Sequence, residues 1–190
     1  ALATVIYGLA HVARGPRVRR VKVPLARLAV ASYTLVQLTD VHIGPMLGRE
    51  FAEGVVRQVN ALAPDLIVIT GDFVDGRLSE LRPHIEPFRD LRARDGVFSV
   101  TGNHEYYWDP EPWLDHIRSL GIRVLRNEHV TIADAFQLAG VDDSSAAEDV
   151  PRALAGRDPA LPLVLLGHHP RTITRAAPAI QRARPIVTTS

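Results

Sequence analysis

The 190-residue chain contains no cysteine and a single methionine. The first absence excludes disulfide scaffolds, thiolate nucleophiles and cysteine-based zinc sites, so any metal must be held by imidazole, carboxylate, amide or water. It leaves the redox compartment open. Acids are missing from both ends: residues 1–30 carry six cations and residues 171–190 four arginines, with no Asp or Glu in either stretch. Also missing are an internal repeat and any apolar run of the about 20 residues that a membrane-crossing helix needs.

What remains is an ordinary globular composition, 46% hydrophobic and 23% charged, of a length that suits one domain. The net charge of +1 hides a segregation, because the middle 140 residues hold all 21 acids against twelve bases. An acidic body between basic ends points to a cation site, with a solvated acidic surface as the plainer alternative. Residues 1–13 (ALATVIYGLAHVA) are apolar and too short to span a bilayer. They read either as a packed surface helix or as the tail of a membrane helix, and the RGPRVRRVK that follows favours the tail, since cations beside a membrane helix are held by anionic headgroups. No aromatic is interleaved with these cations, which argues against a nucleic-acid arm. The division is then an apolar segment over 1–13, a basic linker over 14–32 and a catalytic domain over 33–190.

From Tyr33 strands and helices alternate. YTLVQLTD reads as a buried strand ending in Asp40, Arg49–Leu62 as an amphipathic helix, and LIVIT (Leu66–Thr70) as a buried strand running into Gly71-Asp72. GVFSVTGNHE repeats the design, and Glu111–Leu120 carries Trp113, Ile117 and Leu120 at helical spacing with Gly121 as a cap. Arg123–Leu125, Val130–Ile132 and Phe136–Val141 read as short strands, and LPLVLLGHHP as a further buried one.

Four of these strands end in residues that bind metals: Asp40-x-His42, Gly71-Asp72-x-x-Asp75, Gly102-Asn103-His104-Glu105 and His168-His169. Ligands in layered α/β proteins collect at the carboxyl ends of strands, where the four clusters can converge. A donor set of carboxylates, imidazoles and an amide suits Mn, Fe or Zn better than calcium. A pair of such ions about 3.5–4 Å apart serves phosphoester hydrolysis by clamping phosphoryl oxygens and acidifying water. Each cluster alone is equally well a turn or a helix cap; their recurrence behind four strands is what carries weight.

With these motifs, and with Leu166-Gly-His168-His-Pro170, the chain resembles the calcineurin-like metallophosphoesterase superfamily, and within it the bacterial membrane-associated branch. The resemblance implies a four-layer α-β-β-α sandwich with two mixed sheets and a centre of two divalent ions (Mn, Fe or Zn) acting on a phosphoester. Asp40 and His42 would bind the first ion, Asp72 would bridge, and Asn103 and His168 would bind the second. His104 would be the catalytic imidazole, with Asp75 and Glu105 orienting ligands behind it. His168 is taken over His169 because the family pattern is His-x-Pro. The superfamily's closing Gly-His-x-His is unmatched after Pro170, which implies a domain incomplete at its C-terminus and impaired activity, or a non-catalytic, membrane-associated binding module. Membrane association through the N-terminal segment is expected, with the domain on the cytoplasmic side by the positive-inside bias, or else exported. No nucleic-acid partner is expected. Tyr106, Tyr107 and Trp108 read as packing or as the pocket mouth, Asp142-Asp143 as a solvated turn, and His11, His84, His116 and His129 as surface or helix-face residues.

Overall fold

The computed structural model describes residues 15–182. The apolar segment 1–13, with His11, and the tail 183–190 lie outside the described residues, and among the described residues no helix is long and apolar enough to cross a membrane. In chain order the elements are β1 (Leu35–Leu38), α1 (Arg49–Asn60), β2 (Leu66–Thr70), α2 (Leu78–Ile85) running into a 3-10 turn (Glu86–Asp90), β3 (Val97–Val100), α3 (Asn103–Tyr107) and α4 (Pro110–Ser119). They continue with β4 (Arg123–Val124), β5 (Glu128–Ile132), β6 (Phe136–Gly140), α5 (Val150–Ala153), β7 (Leu163–Leu166) and α6 (Thr172–Arg182).

Strands β1 to β4 form one sheet in sequence order, parallel at every pairing. The second sheet has the order β5-β6-β7, with an antiparallel and a parallel pair. Both sheets were expected to be mixed; the first is parallel throughout because a helical crossover returns the chain to the same end before each new strand.

Three apolar clusters define four layers. Ile67 and Ile69 of β2 face a core shared with Val55 and Val59 of α1, Leu81 and Ile85 of α2, and Trp113 and Ile117 of α4. Leu66 and Val68, pointing the other way as strand pleating requires, join Phe98, Val100 and Leu125 against Phe136, Leu138 and Leu166 of the second sheet. Beyond that sheet Ala139 and Val141 pack under Val150 and Ala153 of α5 and Ala176 of α6. All five residues of LIVIT are buried, and each large apolar side chain so placed is worth about 1.5–3 kcal/mol.

Helix α2 escapes the sequence reading because Pro83 lies inside it and Pro87 begins the 3-10 turn, both of which read as breaks. His84 proves to be a helix cap: its Nδ1 accepts the Arg49 N–H at 3.1 Å, the role that Gly48 cannot fill. His116, expected on a surface or a helix face, lies on the inner face of α4, buried beside Trp113 with Glu86 at 3.5 Å.

Two predictions follow from packing. A Cβ on Gly140 would sit 2.5 Å from Leu125 Cβ and 2.6 Å from Val100 Cγ1, so Gly140→Ala must push the sheets apart. It should cost about 1–3 kcal/mol in urea unfolding. Burial lowers the His116 pKa, with Glu86 opposing. A ring kept neutral in the fold binds its proton more readily once unfolded, so its contribution is present above the ordinary imidazole value and is lost as pH falls. The urea midpoint should therefore drop more between pH 7 and pH 5 for the parent than for His116→Leu.

Candidate metal centre

The carboxyl ends of β1, β2, β3 and β7 lie together, and the loops leaving β1 and β2 stay paired beyond the sheet. Asp40 N–H donates to Gly71 O at 3.3 Å, His42 N–H to Asp72 O at 3.0 Å, Ile43 N–H to Phe73 O at 3.0 Å and Asp75 N–H to Ile43 O at 2.8 Å. This zipper presents the two motifs side by side. It bends them as well, because Asp40, His42 and Asp72 all have left-handed backbone, with φ of 52°, 48° and 51°. Asp and His tolerate that region better than most residues, and such conformations concentrate where a site holds them in place.

Close approach explains the two glycines. A Cβ on Gly71 would lie 2.6 Å from the backbone of Gly102 and 2.8 Å from His168 Nδ1; one on Gly102 would lie 2.2 Å from Asp72 Oδ1. The loops after β2 and β3 therefore meet backbone to backbone. Glu105, only 2% exposed, fastens them. Its Oε1 accepts Phe73 N–H at 2.7 Å, and Oε2 accepts Gly102 N–H at 2.6 Å and Asp72 N–H at 3.2 Å. Burial pushes the Glu105 carboxyl up, while these N–H donors pull it down.

Asp72 is the hub. Its Oδ1 accepts His104 N–H at 3.1 Å, and its Oδ2 faces three imidazole Nε2 atoms, those of His168 at 3.4 Å, His42 at 3.6 Å and His104 at 3.9 Å. His168 Nδ1 lies 3.0 Å from Thr70 O; a proton there donates to the carbonyl and leaves Nε2 as a free donor lone pair, the arrangement typical of metal-binding histidine. His104 Nδ1 lies 3.2 Å from Asp75 Oδ1, and its ring meets that of His42 edge-on at 4.6 Å. Two sets of donor atoms each fall within 4.8 Å of one another: Asp40, Asp72 and His168 in one, His42, Asp75 and His104 in the other. The anticipated neighbours Asp40 and His42 thus fall in different sets, and Asp75 groups with donors. Asn103 begins α3, and its amide nitrogen donates to the Tyr107 hydroxyl at 3.2 Å.

The aromatic run divides. Tyr107 is exposed with its ring 5.1 Å from His104, at the rim, whereas Trp108 packs on the helical core and the Tyr106 hydroxyl donates to Thr101. Asp142 and Asp143 are buried, against the reading of a solvated turn. Asp142 takes the Arg126 Nε–H at 3.1 Å, and Asp143 accepts the Ser145 hydroxyl and N–H while its other oxygen stands 3.3 Å from His169 Nε2. Burial raises Asp143, but the Ser145 bonds and His169 outweigh it and hold the carboxyl below its ordinary value. Arg126 and His169 lie far off in sequence, so no local signal marks the burial of the pair, even though Ser145 is only two residues from Asp143. The Thr70 carbonyl was likewise invisible as a ligand-orienting group, since every residue has one.

A four-layer α/β sandwich with carboxylates and imidazoles gathered at its strand ends is the architecture of metallophosphoesterases. Residues 33–184 match the family described as calcineurin-like phosphoesterase, and the chain belongs to it. A Bos taurus protein described as a transmembrane protein with metallophosphoesterase domain is 40% identical over 194 residues, covering 92% of this chain and 44% of its own length. The Danio rerio protein of the same description is 37% identical over 188 residues, covering 90% and 43%. An uncharacterized metallophosphoesterase of Helicobacter pylori is 34% identical over 164 residues, covering 83% and 44%. The chain spans less than half the length of these curated relatives.

Glu105→Ala leaves four buried N–H groups, those of Asp72, Phe73, Val74 and Gly102, without an acceptor. At about 1–3 kcal/mol for each such group, partly relieved by water, it should lower unfolding free energy by roughly 3 kcal/mol. Glu105→Gln, which keeps one acceptor oxygen, should lose less.

Proposed function

We propose that this chain carries the catalytic centre of a metal-dependent phosphoesterase that hydrolyses a phosphomonoester or phosphodiester. The observation that carries the reading is Asp72 Oδ2, a buried carboxylate oxygen with three imidazole Nε2 atoms within 3.9 Å. Such a convergence of neutral donors on one carboxylate suits bound cations better than a core, where three rings around one acid would leave most nitrogens unpartnered. The donor chemistry suits two divalent ions, Mn, Fe or Zn; by the family resemblance Asp40 and His42 would hold one and Asn103 and His168 the other, with Asp72 between them, although the donor atoms themselves group Asp40 with His168 and His42 with Asp75 and His104. Cations held there supply charge neutralisation at the phosphoryl oxygens and acidify water for attack.

The protein's own groups do the rest. His168 is turned toward the centre by the Thr70 carbonyl, and Asp72 is fixed by the backbone N–H of His104. His104, steadied by Asp75, hydrogen-bonds a phosphoryl oxygen or protonates the departing alkoxide, a contribution of about 10²–10⁴-fold for a positioned acid. Glu105 keeps the loops at the separation these contacts need. Attachment to a membrane through the N-terminal segment, with the domain on the cytoplasmic side, is part of the same proposal. It is supported by the cations that follow the apolar stretch and by the descriptions of the vertebrate relatives.

The test pairs metal analysis of the purified chain with hydrolysis of bis-p-nitrophenyl phosphate in added Mn²⁺. Bound metal and turnover are expected, and Asp72→Asn should lower both by at least about 100-fold, beyond what loss of a supporting contact costs. If the chain takes up no metal and releases no nitrophenol, the reading is wrong and a non-catalytic binding domain takes its place.

A further inference from the structure

The basic segment and the candidate metal centre occupy opposite ends of the molecule. Residues 15–34 form no helix or strand and lie across the ends where the strands begin. Gln58, in the last turn of α1, donates its amide to Pro16 O at 3.1 Å. Arg27 Nη1 donates to Pro159 O at 3.2 Å, just ahead of β7. Leu28 and Tyr33 pack on the core between the sheets, and the Tyr33 hydroxyl donates to Asp95, which precedes β3. Each of these partners enters a strand or ends a helix at the pole away from Asp40, Asp72, Gly102 and His168. From Leu35 to Asp40 the chain advances five residues, about 16 Å at strand rise.

This pole has the chemistry of a surface made for anionic lipid. Arg17, Arg19, Arg20 and Lys22 are all exposed and form no ion pair among the described residues. Between them stand Val18, Val21 and Val23, exposed to 46%, 78% and 74%. Residues 1–30 contain no acid that could neutralise the stretch. Unpaired cations alternating with bare valines suit headgroups that offer negative charge over a shallow apolar layer; a phosphate backbone would reward the cations and leave the valines in water.

We infer that residues 17–23 dock on an anionic bilayer surface and that the candidate metal centre opens away from that bilayer, so that its substrate is a water-borne phosphoester and not a lipid of the membrane to which the segment binds. The orientation gains its functional meaning from the proposed catalytic reading, although the surface stands on its own residues. The linker thereby holds the site at the far end of the sheets from the lipid it binds.

The absence of cysteine makes the test direct. Single variants Val21→Cys and Met46→Cys, the latter in the exposed loop beside Asp75 at the rim of the centre, each carry one thiol for an environment-sensitive fluorophore. With vesicles of equal parts phosphatidylglycerol and phosphatidylcholine, the chain should bind. Its affinity should fall about tenfold or more for Arg19→Ser with Arg20→Ser, and fall again in high salt. The probe at position 21 should shift to the blue while the probe at 46 keeps its aqueous spectrum. An equal shift at both positions, no binding to these vesicles, an affinity indifferent to the two serines, or tighter binding to duplex DNA than to vesicles would each overturn the inference. If the probes behave as expected and bis-p-nitrophenyl phosphate is still not hydrolysed, the catalytic reading falls and the docking surface stands.

Discussion

The structure depends on one buried carboxylate that receives backbone N–H groups from two loops. Glu105 takes Asp72 N–H and Phe73 N–H from the segment after β2 and Gly102 N–H from the turn after β3. Without an acceptor at that point, the ends of two central strands would expose buried donors with nowhere to turn, since the sheet has already ended. With it, the segments are drawn so close that neither Gly71 nor Gly102 can carry a side chain. The Asp72 carboxylate, one residue past Gly71, is thereby fixed at the centre of the imidazoles. A single long-range hydrogen-bonded clasp thus sets the spacing on which every donor distance at the strand ends rests.

Pairing between the loops after β1 and β2 explains how the strained backbone survives. Left-handed conformations at Asp40, His42 and Asp72 each cost on the order of 1–3 kcal/mol when they depart from favourable local geometry. They are held by the interstrand zipper that continues from Asp40 to Asp75, so relaxing one of them would break bonds at its neighbours. The parallel sheet beneath, covered on both faces, contributes rigidity. Its apolar strands cannot shift register without moving buried residues to the wrong layer. Tension at the loop ends is balanced against burial in the strands.

Much of this was legible in the sequence, for physical reasons that vary from element to element. LIVIT stands out because a strand covered on both faces is apolar at nearly every position, and the same logic marks Leu163–Leu166 and, with Ser99 as its polar member, Val97–Val100. The four polar clusters could be found because each follows such a run directly. What stayed hidden was non-local. Pro83 and Pro87 suggested a break where α2 passes into a tighter turn. Asp142-Asp143 looked like a solvated turn because the distant groups that occupy them, Arg126 and His169, are assembled only by the fold. Telling His168 from His169 rested on family pattern alone. In the structure the two adjacent rings lie 4.8 Å apart and reach different carboxylates, His168 that of Asp72 and His169 that of Asp143.

The acidic middle of the chain shows where composition stops being informative. Its charge excess pointed toward a cation site, yet most of its carboxylates serve other ends. Asp65 and Asp95 hold Arg94, Glu86 holds Arg89, and Asp142 shares Arg126 with Glu111. Among the described residues Asp40, Asp72 and Asp75 are the acids that group with imidazoles in three-donor clusters, and they would have been no harder to find in a chain of neutral balance. A metal centre requires a few donors whose lone pairs lack other partners, and net charge does not measure that. Strand-end position does, since a carboxylate just past a buried strand has run out of backbone donors along the sheet and must find either an N–H from a neighbouring loop or a partner among side chains and cations. In this fold Asp72 is offered both, one oxygen to the backbone N–H of His104 and the other to the imidazoles.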